Sequence, residues 1–247
     1  MVSDALNSGK DIYDKQFVQG LFDEMSATYG RANIISSFGF CVRWRRKCIQ
    51  QIEINPGDTL LDLMSGMGEL WPTIAENTGD SGRIRAIDFS PTMCARSAVA
   101  ADKMDGFDIQ ISQEDVLENS IPDESADAVV STFGLKTLTR EQCMKLAEEI
   151  SRVLKPGGKL SLLEISVPAF TPLRFFYMSY LKYIVPLFGQ LLLGNPENYR
   201  LLGIYTERFG NCLGFEDDCL KAGLNVRYRS FFYGCASAVV GEKPLHQ

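Results

Sequence analysis

Two rhythms of hydrophobic and polar positions alternate along this chain. Short apolar runs at Thr59 to Leu63, Arg83 to Ile87, Asp108 to Ser112, Ala126 to Ser131 and Lys159 to Ile165 read as strands. Between them, apolar residues recur at helical spacing. Phe17, Leu21, Phe22 and Met25 mark a helix from about Lys15 to Tyr29, and a second follows Phe38-Gly39-Phe40 and ends near Ile52. Further helices are predicted over Glu69 to Glu76, after Ser90-Pro91 as cap and first turn, and over Arg140 to Val153, where Lys155-Pro156-Gly157-Gly158 stops the helix. A last helix, Glu216 to Ala222, closes at Gly223, and Val226 to Tyr233 with Ala236 to Val240 predict a terminal hairpin. Regular alternation of strand and helix implies an α/β fold: a mostly parallel, seven-stranded, Rossmann-like sheet with an antiparallel edge.

The stretch Leu60-Leu61-Asp62-Leu63-Met64-Ser65-Gly66-Met67-Gly68-Glu69-Leu70 reads as strand, glycine turn and helix start. Gly66 and Gly68 let the backbone pass close beneath a ligand. A phosphate loop would place Lys and then Ser or Thr after the last glycine, whereas Glu69 and Leu70 follow here. Glu69 would also repel a pyrophosphate at that helix start, so the turn suits a nucleoside cofactor, or else is an ordinary strand-to-helix connection. Asp88 ends the second strand, where nucleotide-binding folds grip ribose hydroxyls. Glu114-Asp115 follows the third strand, making Asp115 a candidate adenine contact or a solvated loop acid.

Composition narrows the chemistry. A net charge of −6 without a basic stripe argues against nucleic acid as a partner. The seven cysteines form no CxxC pair, which suggests reduced thiols and argues against structural zinc. The single histidine is His246, so a His-based nucleophilic mechanism within the chain is excluded. Met1 to Asp14 is polar and acidic, with neither a signal core nor an Arg-rich leader. Arg43, Arg45 and Arg46 read equally well as a solvated helix face.

The strand–helix rhythm breaks at Pro168. Phe170, Phe175, Phe176, Tyr177, Tyr180, Tyr183 and Phe188 crowd the segment to Leu193, while Lys182, Pro186 and Gln190 make it a poor membrane span. It suits an aromatic lid over an apolar substrate, an interfacial helix or a core helix. The expected organisation is N-terminal helices over residues 1–55, a cofactor-binding core over 56–167, an aromatic lid and membrane-contact insertion over 168–205, and a final helix with two strands over 206–247.

Taken in order, these residues resemble the class I S-adenosylmethionine methyltransferases, and within them the ubiquinone/menaquinone C-methyltransferase (UbiE) family. The resemblance runs from Phe22 to about Gly241. It rests on Phe22-Asp23-Glu24-Met25 with Tyr29, Ser37-Phe38-Gly39 with Trp44-Arg45-Arg46, the glycine turn, Asp88-Phe89-Ser90 with Met93, and Phe133-Gly134-Leu135. Arg152 to Gly158, Glu164-Ile165-Ser166-Val167-Pro168, Tyr177, Tyr180, Pro186, Gly189 and Asn198-Tyr199-Arg200 complete it. It implies S-adenosylmethionine held by Asp62, Met64, Gly66, Gly68, Asp88, Phe89 and Asp115, and a polyprenyl quinone such as ubiquinone under the lid. Tyr29, Lys136, Tyr177 and Tyr199 are the expected catalytic contacts. Peripheral attachment follows, on the cytoplasmic face of a bacterial inner membrane or the matrix face of a mitochondrial one.

This sequence departs from the family pattern near the expected chemistry. Met64 replaces a small residue, Gly30 follows Tyr29 where an Asp is usual, and Lys136-Thr137 replaces an Arg-Asn pair. The altered turn is similar to that of the rhodoquinone-biosynthesis (RquA-type) relatives of the family, implying that an amino group replaces a ring methoxy group. Ring C-methylation and a non-catalytic scaffold in a quinone-synthesis complex are the alternatives. A divalent metal such as manganese would activate the quinone oxygen, with Glu114, Asp115 or Glu164 as candidate ligands.

Overall fold

The computed structural model describes residues 11–26, 28–78, 82–190 and 196–245; most of the acidic N-terminal stretch, part of the aromatic segment and His246 lie outside them. Three N-terminal helices, α1 (Lys15–Met25), α2 (Tyr29–Ser36) and α3 (Phe40–Ile49), precede the sheet. The core follows as β1 (Thr59–Leu63), α4 (Trp71–Thr78), β2 (Gly82–Asp88), α5 (Pro91–Ala101), β3 (Phe107–Gln113), β4 (Ala126–Thr132), α6 (Arg140–Val153) and β5 (Leu154–Ile165). A cap of α7 (Thr171–Ser179), a π-helical turn at Tyr180–Ile184, α8 (Val185–Phe188) and α9 (Pro196–Phe209) comes next. The chain ends with α10 (Leu213–Lys221), β6 (Asn225–Phe231) and β7 (Ala236–Glu242).

The seven strands lie in the order β3-β2-β1-β4-β5-β7-β6. Pairings among β1 to β5 are parallel, and β7 runs antiparallel to both neighbours. The terminal hairpin thus inserts its second strand against β5 and leaves β6 at the edge. The centre of the sheet is covered on both faces. Leu61, Leu63 and Val129 join a core with α6 and α10, while Leu60, Ala128 and Val130 face α3 and α4.

Local chemistry sets several boundaries. Thr139 and Gln142 form a reciprocal capping box at the start of α6, and the Met93 N–H donates to the Ser90 side chain at the start of α5. Two expectations need correction. The single helix predicted to Tyr29 breaks after Met25, and α2 forms as a separate helix whose sequence, with Gly30, Asn33 and Ser36, carries no continuous apolar stripe. Lys155 to Gly158 is not a turn ahead of β5 but lies inside it. Ala126 pairs with Leu154 and Ala128 with Lys159, so these four residues bulge out of the ladder.

Candidate active site

Two main cavities meet at the carboxyl ends of the parallel strands. The first, about 80 Å³, is lined by Met64, Gly66, Asp88, Phe89, Asp115 and Val116 among others. Asp88 organises it: its Oδ2 accepts from the Gly66 N–H at 2.8 Å and its Oδ1 from the Ser90 N–H at 2.9 Å. Burial raises its pKa, and these two N–H groups act in the opposite direction. A carboxylate so held, beside Phe89 and Val116, suits a nucleoside whose ribose hydroxyls donate to the acid and whose base packs on apolar walls. Asp115 sits at the other side, its Oδ1 accepting from Leu117 N–H and its Oδ2 paired with Lys15 at 2.8 Å. That ion pair, with the Ser90 hydroxyl donating to Asp23, fastens α1 over the cavity.

The second cavity is larger and apolar, about 290 Å³, enclosed by the N-terminal helices, the cap and the turn between β6 and β7. All four expected catalytic residues, Tyr29, Lys136, Tyr177 and Tyr199, line it. Lys136 Nζ lies 3.1 Å from Glu164 Oε1 and also donates to the Phe133 carbonyl, while the Lys136 N–H donates to Glu164 Oε2. Tyr177 donates to the Cys235 carbonyl at 3.3 Å, and the Tyr199 hydroxyl lies 3.2 Å from that of Thr28. Burial pushes the phenols of Tyr29, Tyr177 and Tyr199 upward, with Glu69 adding to the effect at Tyr29 and Thr28 opposing it at Tyr199. Phe22, Tyr29, Phe133 and Thr137 line both cavities and form the wall where two ligands would meet.

Met64 stands beside that wall. Its backbone is left-handed at φ 54°, and its side chain covers Gly134 so closely that a Cβ there would fall 2.6 Å from the Met64 sulfur. Gly66, at φ 57°, needs its missing side chain to keep this path. Gly68 instead lies beneath the Trp71 ring and touches neither main cavity; a Cβ would meet that ring at 2.6 Å. Asp62 is likewise set back. It accepts from Trp71 Nε1 at 2.9 Å, and desolvation pushes its carboxyl up to about 8 against that hydrogen bond.

A third, smaller chamber of about 20 Å³ opens beside the turn, bordered by Asp62, Ser65, Glu69 and Arg45. Of the arginines read as a solvated face, Arg46 is exposed and pairs with Glu76, but Arg45 is buried and stacks on Phe133 at 5.4 Å. Neither Arg45 nor Glu69 was expected as a site residue. The turn's departure at Glu69 and the neighbouring Arg-Arg pair were the only signals. The three candidate metal ligands do not converge: Glu114 accepts from Ser120, Asp115 pairs with Lys15, and Glu164 is held by Lys136. Among the described residues no group of three or more His, Cys, Asp or Glu side chains is placed to hold a metal ion.

Comparison with known proteins agrees with this geometry. A demethylmenaquinone methyltransferase of Bacillus licheniformis is 30% identical over 231 residues, covering 93% of this chain and 97% of its own. That of Bacillus cereus is 29% identical over 228 residues, covering 92% and 95%. A solved S-adenosylmethionine-dependent methyltransferase from Aquifex aeolicus superposes with a TM-score of 0.55 at 19% identity, over 80% of this chain and 88% of its own, which speaks for the fold. The ubiE/COQ5 methyltransferase family matches residues 10–243, nearly the whole chain, and the protein therefore belongs to that family of S-adenosylmethionine-dependent enzymes.

Proposed function

We propose that this chain acts on the ring of a polyprenyl quinone with S-adenosylmethionine in the first cavity and the ring in the second, and that it exchanges a ring methoxy group for an amino group. The observation that carries this reading is the state of the polar groups facing the apolar cavity. Tyr29 and Tyr177 have phenols raised by burial, and Lys136 is already paired with Glu164. Phenols that keep their proton can donate to a quinone carbonyl and are poor bases for a hydroquinone proton. They suit an oxidised ring made electrophilic by hydrogen bonding. The α-amino nitrogen of S-adenosylmethionine would be the donor: its lone pair would add to the carbon bearing methoxy, and methanol would leave with a proton from the nitrogen. The bond from that nitrogen to the α-carbon would then break with loss of a β-proton, leaving the aminoquinone and an unsaturated acid, with the ring's oxidation state unchanged. Met64, filling the space over Gly134, supports the same reading because a bulky side chain there obstructs in-line approach of a sulfonium methyl.

Ring C-methylation is the second reading, favoured by the two relatives named above, which are demethylmenaquinone methyltransferases. S-adenosylmethionine would then supply the methyl group directly. The decisive measurement is mass spectrometry of a short-tail ubiquinone analogue and a demethylmenaquinol analogue, each incubated with the protein and S-adenosylmethionine, with manganese added or chelated. Amino in place of methoxy establishes exchange; a methyl gained by the demethylated ring establishes methylation and sinks exchange. Loss of exchange on chelation would assign the metal a role.

Among the described residues no helix is long and apolar enough to cross a membrane. The reading instead gives the chain a peripheral place on the cytoplasmic or matrix face, with the segment 168–205 as lid and contact. The exposed Phe175, Phe176 and Tyr183 around the cap support this assignment. Flotation with liposomes, before and after changing these three to Ser, tests it.

A further inference from the structure

The wall of the large apolar cavity carries one buried polar atom that the protein leaves unsatisfied. Lys136, Thr137 and Tyr180 line the same cavity, and each already donates within the protein: Lys136 to Glu164 and the Phe133 carbonyl, Thr137 to the Gly134 carbonyl, Tyr180 to the Ser36 carbonyl. Asn198, in the first turn of α9, differs. It is only 4% exposed, it lines the cavity, and its Oδ1 accepts no hydrogen bond. Among the described residues it contributes the only such atom on this wall, the other buried unpaired atoms lying on residues that do not line it. Buried polar groups in native proteins are almost always satisfied, and a dry, unpaired acceptor is destabilising. A leucine has a similar branched shape and would cover the place without that penalty. The amide therefore points to a ligand that completes it.

The chemistry of the amide limits what that ligand offers. A carbonyl-type oxygen accepts and cannot donate, so its partner brings an N–H or an O–H. An oxidised ring bearing methoxy groups brings neither: its carbonyl and ether oxygens are acceptors only, and an ether oxygen placed against Oδ1 sets lone pair against lone pair. Exchange of methoxy for amino puts an N–H at the ring edge. We infer that Asn198 recognises the ring-bound nitrogen, its Oδ1 accepting the N–H once the bond to the ring has formed. The cavity then prefers the aminoquinone to the methoxyquinone from which it is made. The inference rests on the exchange reading above and gives it a specificity-determining residue outside the glycine turn.

Equilibrium binding to the full chain, without S-adenosylmethionine so that nothing turns over, tests this with two short-tail ligands: a dimethoxybenzoquinone and the analogue in which amino replaces one methoxy. The wild type should favour the aminoquinone. Asn198→Leu should weaken it about 5- to 30-fold, the range for one buried hydrogen bond, and leave the dimethoxyquinone unchanged or tighter. The thermal midpoint of the unliganded variant should hold or rise, since an unsatisfied atom is removed; a purely structural asparagine would lower the midpoint and both affinities together. Equal losses for the two ligands would mean that the amide donates to a carbonyl they share, and would overturn the inference. So would a wild type that favours the reduced dimethoxy ring, with its two hydroxyls, and shows no preference for amino. Should Asn198→Leu fail to fold, Asn198→Ala decides by the same pair of affinities. Mass spectrometry reads exchange separately. Amino product formed without an Asn198-dependent preference sinks this contact alone, whereas the preference without amino product supports the contact and sinks exchange.

Discussion

The two main cavities are built in opposite ways. The smaller cavity has one wall set by backbone, a turn between β1 and α4, the end of β2 and the loop after β3, joined through the N–H groups of Gly66 and Ser90 on one carboxylate, and is closed by side chains of α1. The apolar cavity is made by side chains from helices far apart in sequence; Lys136 is paired with Glu164 and Tyr199 lies against Thr28, while the buried Asn198 Oδ1 has no hydrogen-bond partner. In the first, the Asp88 carboxylate is consequently held by backbone before any ligand arrives. The second is shaped by packing, and its chemistry depends on which polar groups remain available to the ring.

The largest test of that contrast is Lys136→Met. Glu164 is fully buried, and the lysine supplies the cation facing it. Removing that cation should cost about 3–5 kcal/mol in chemical denaturation, and Lys136→Met/Glu164→Gln should recover most of it. Turnover should fall in both variants while S-adenosylhomocysteine still binds. A single variant as stable as the wild type would show that Lys136 is not structurally committed. Next in size, Asp88→Asn should weaken nucleoside binding about 10- to 100-fold by titration, because a charge-assisted acceptor is lost while the Gly66 and Ser90 contacts can be partly retained. Unchanged affinity would move the ribose away from Asp88.

What the sequence disclosed follows the same division. The strand limits at Thr59–Leu63, the cap at Ser90 and the helix Arg140–Val153 were legible because each is set by local pattern. The glycine turn between β1 and α4 was legible for the same reason. Arg45 was not, because a single charge in a run of three looks the same whether it faces water or a chamber closed by residues 20 and more positions away. The shared wall of Phe22 and Thr137 was also hidden, since it depends on where α1 lands on the sheet. Tertiary contacts decide both.

A pH experiment separates the two regions further. The Asp62 carboxyl is pushed up to about 8 by burial, so between its unfolded value near 4 and that point the folded chain holds a proton that the unfolded chain releases. Its contribution to stability is present below the unfolded pKa and is lost as pH rises through that window, with a slope of at most about 1.4 kcal/mol per pH unit. Asp88 and Asp218 are shifted the same way, so the wild-type slope is shared. Asp62→Asn keeps an acceptor for Trp71 and should flatten the slope between pH 5 and 8 (roughly the window above). Parallel profiles for variant and wild type would mean that Asp62 is ionised throughout.

The smallest expected stability effect lies at Met64, and it bears most directly on function. Its left-handed backbone is unfavourable for a side chain, so Met64→Gly should be more stable than Met64→Ala by about 1 kcal/mol. Both variants lose the packing on Gly134 and open the space beside the wall shared by the cavities. If that obstruction is why the turn does not deliver a methyl group to the ring, both should gain methylation of a demethylated quinol analogue, and Met64→Gly the more. Gain in neither, with exchange of methoxy for amino intact, would place the barrier to methyl transfer in the hydrogen-bonding groups of the apolar cavity. If the wild type already methylates at the rate of both variants, the side chain is only packing, and the ring chemistry is that of the demethylmenaquinone methyltransferases.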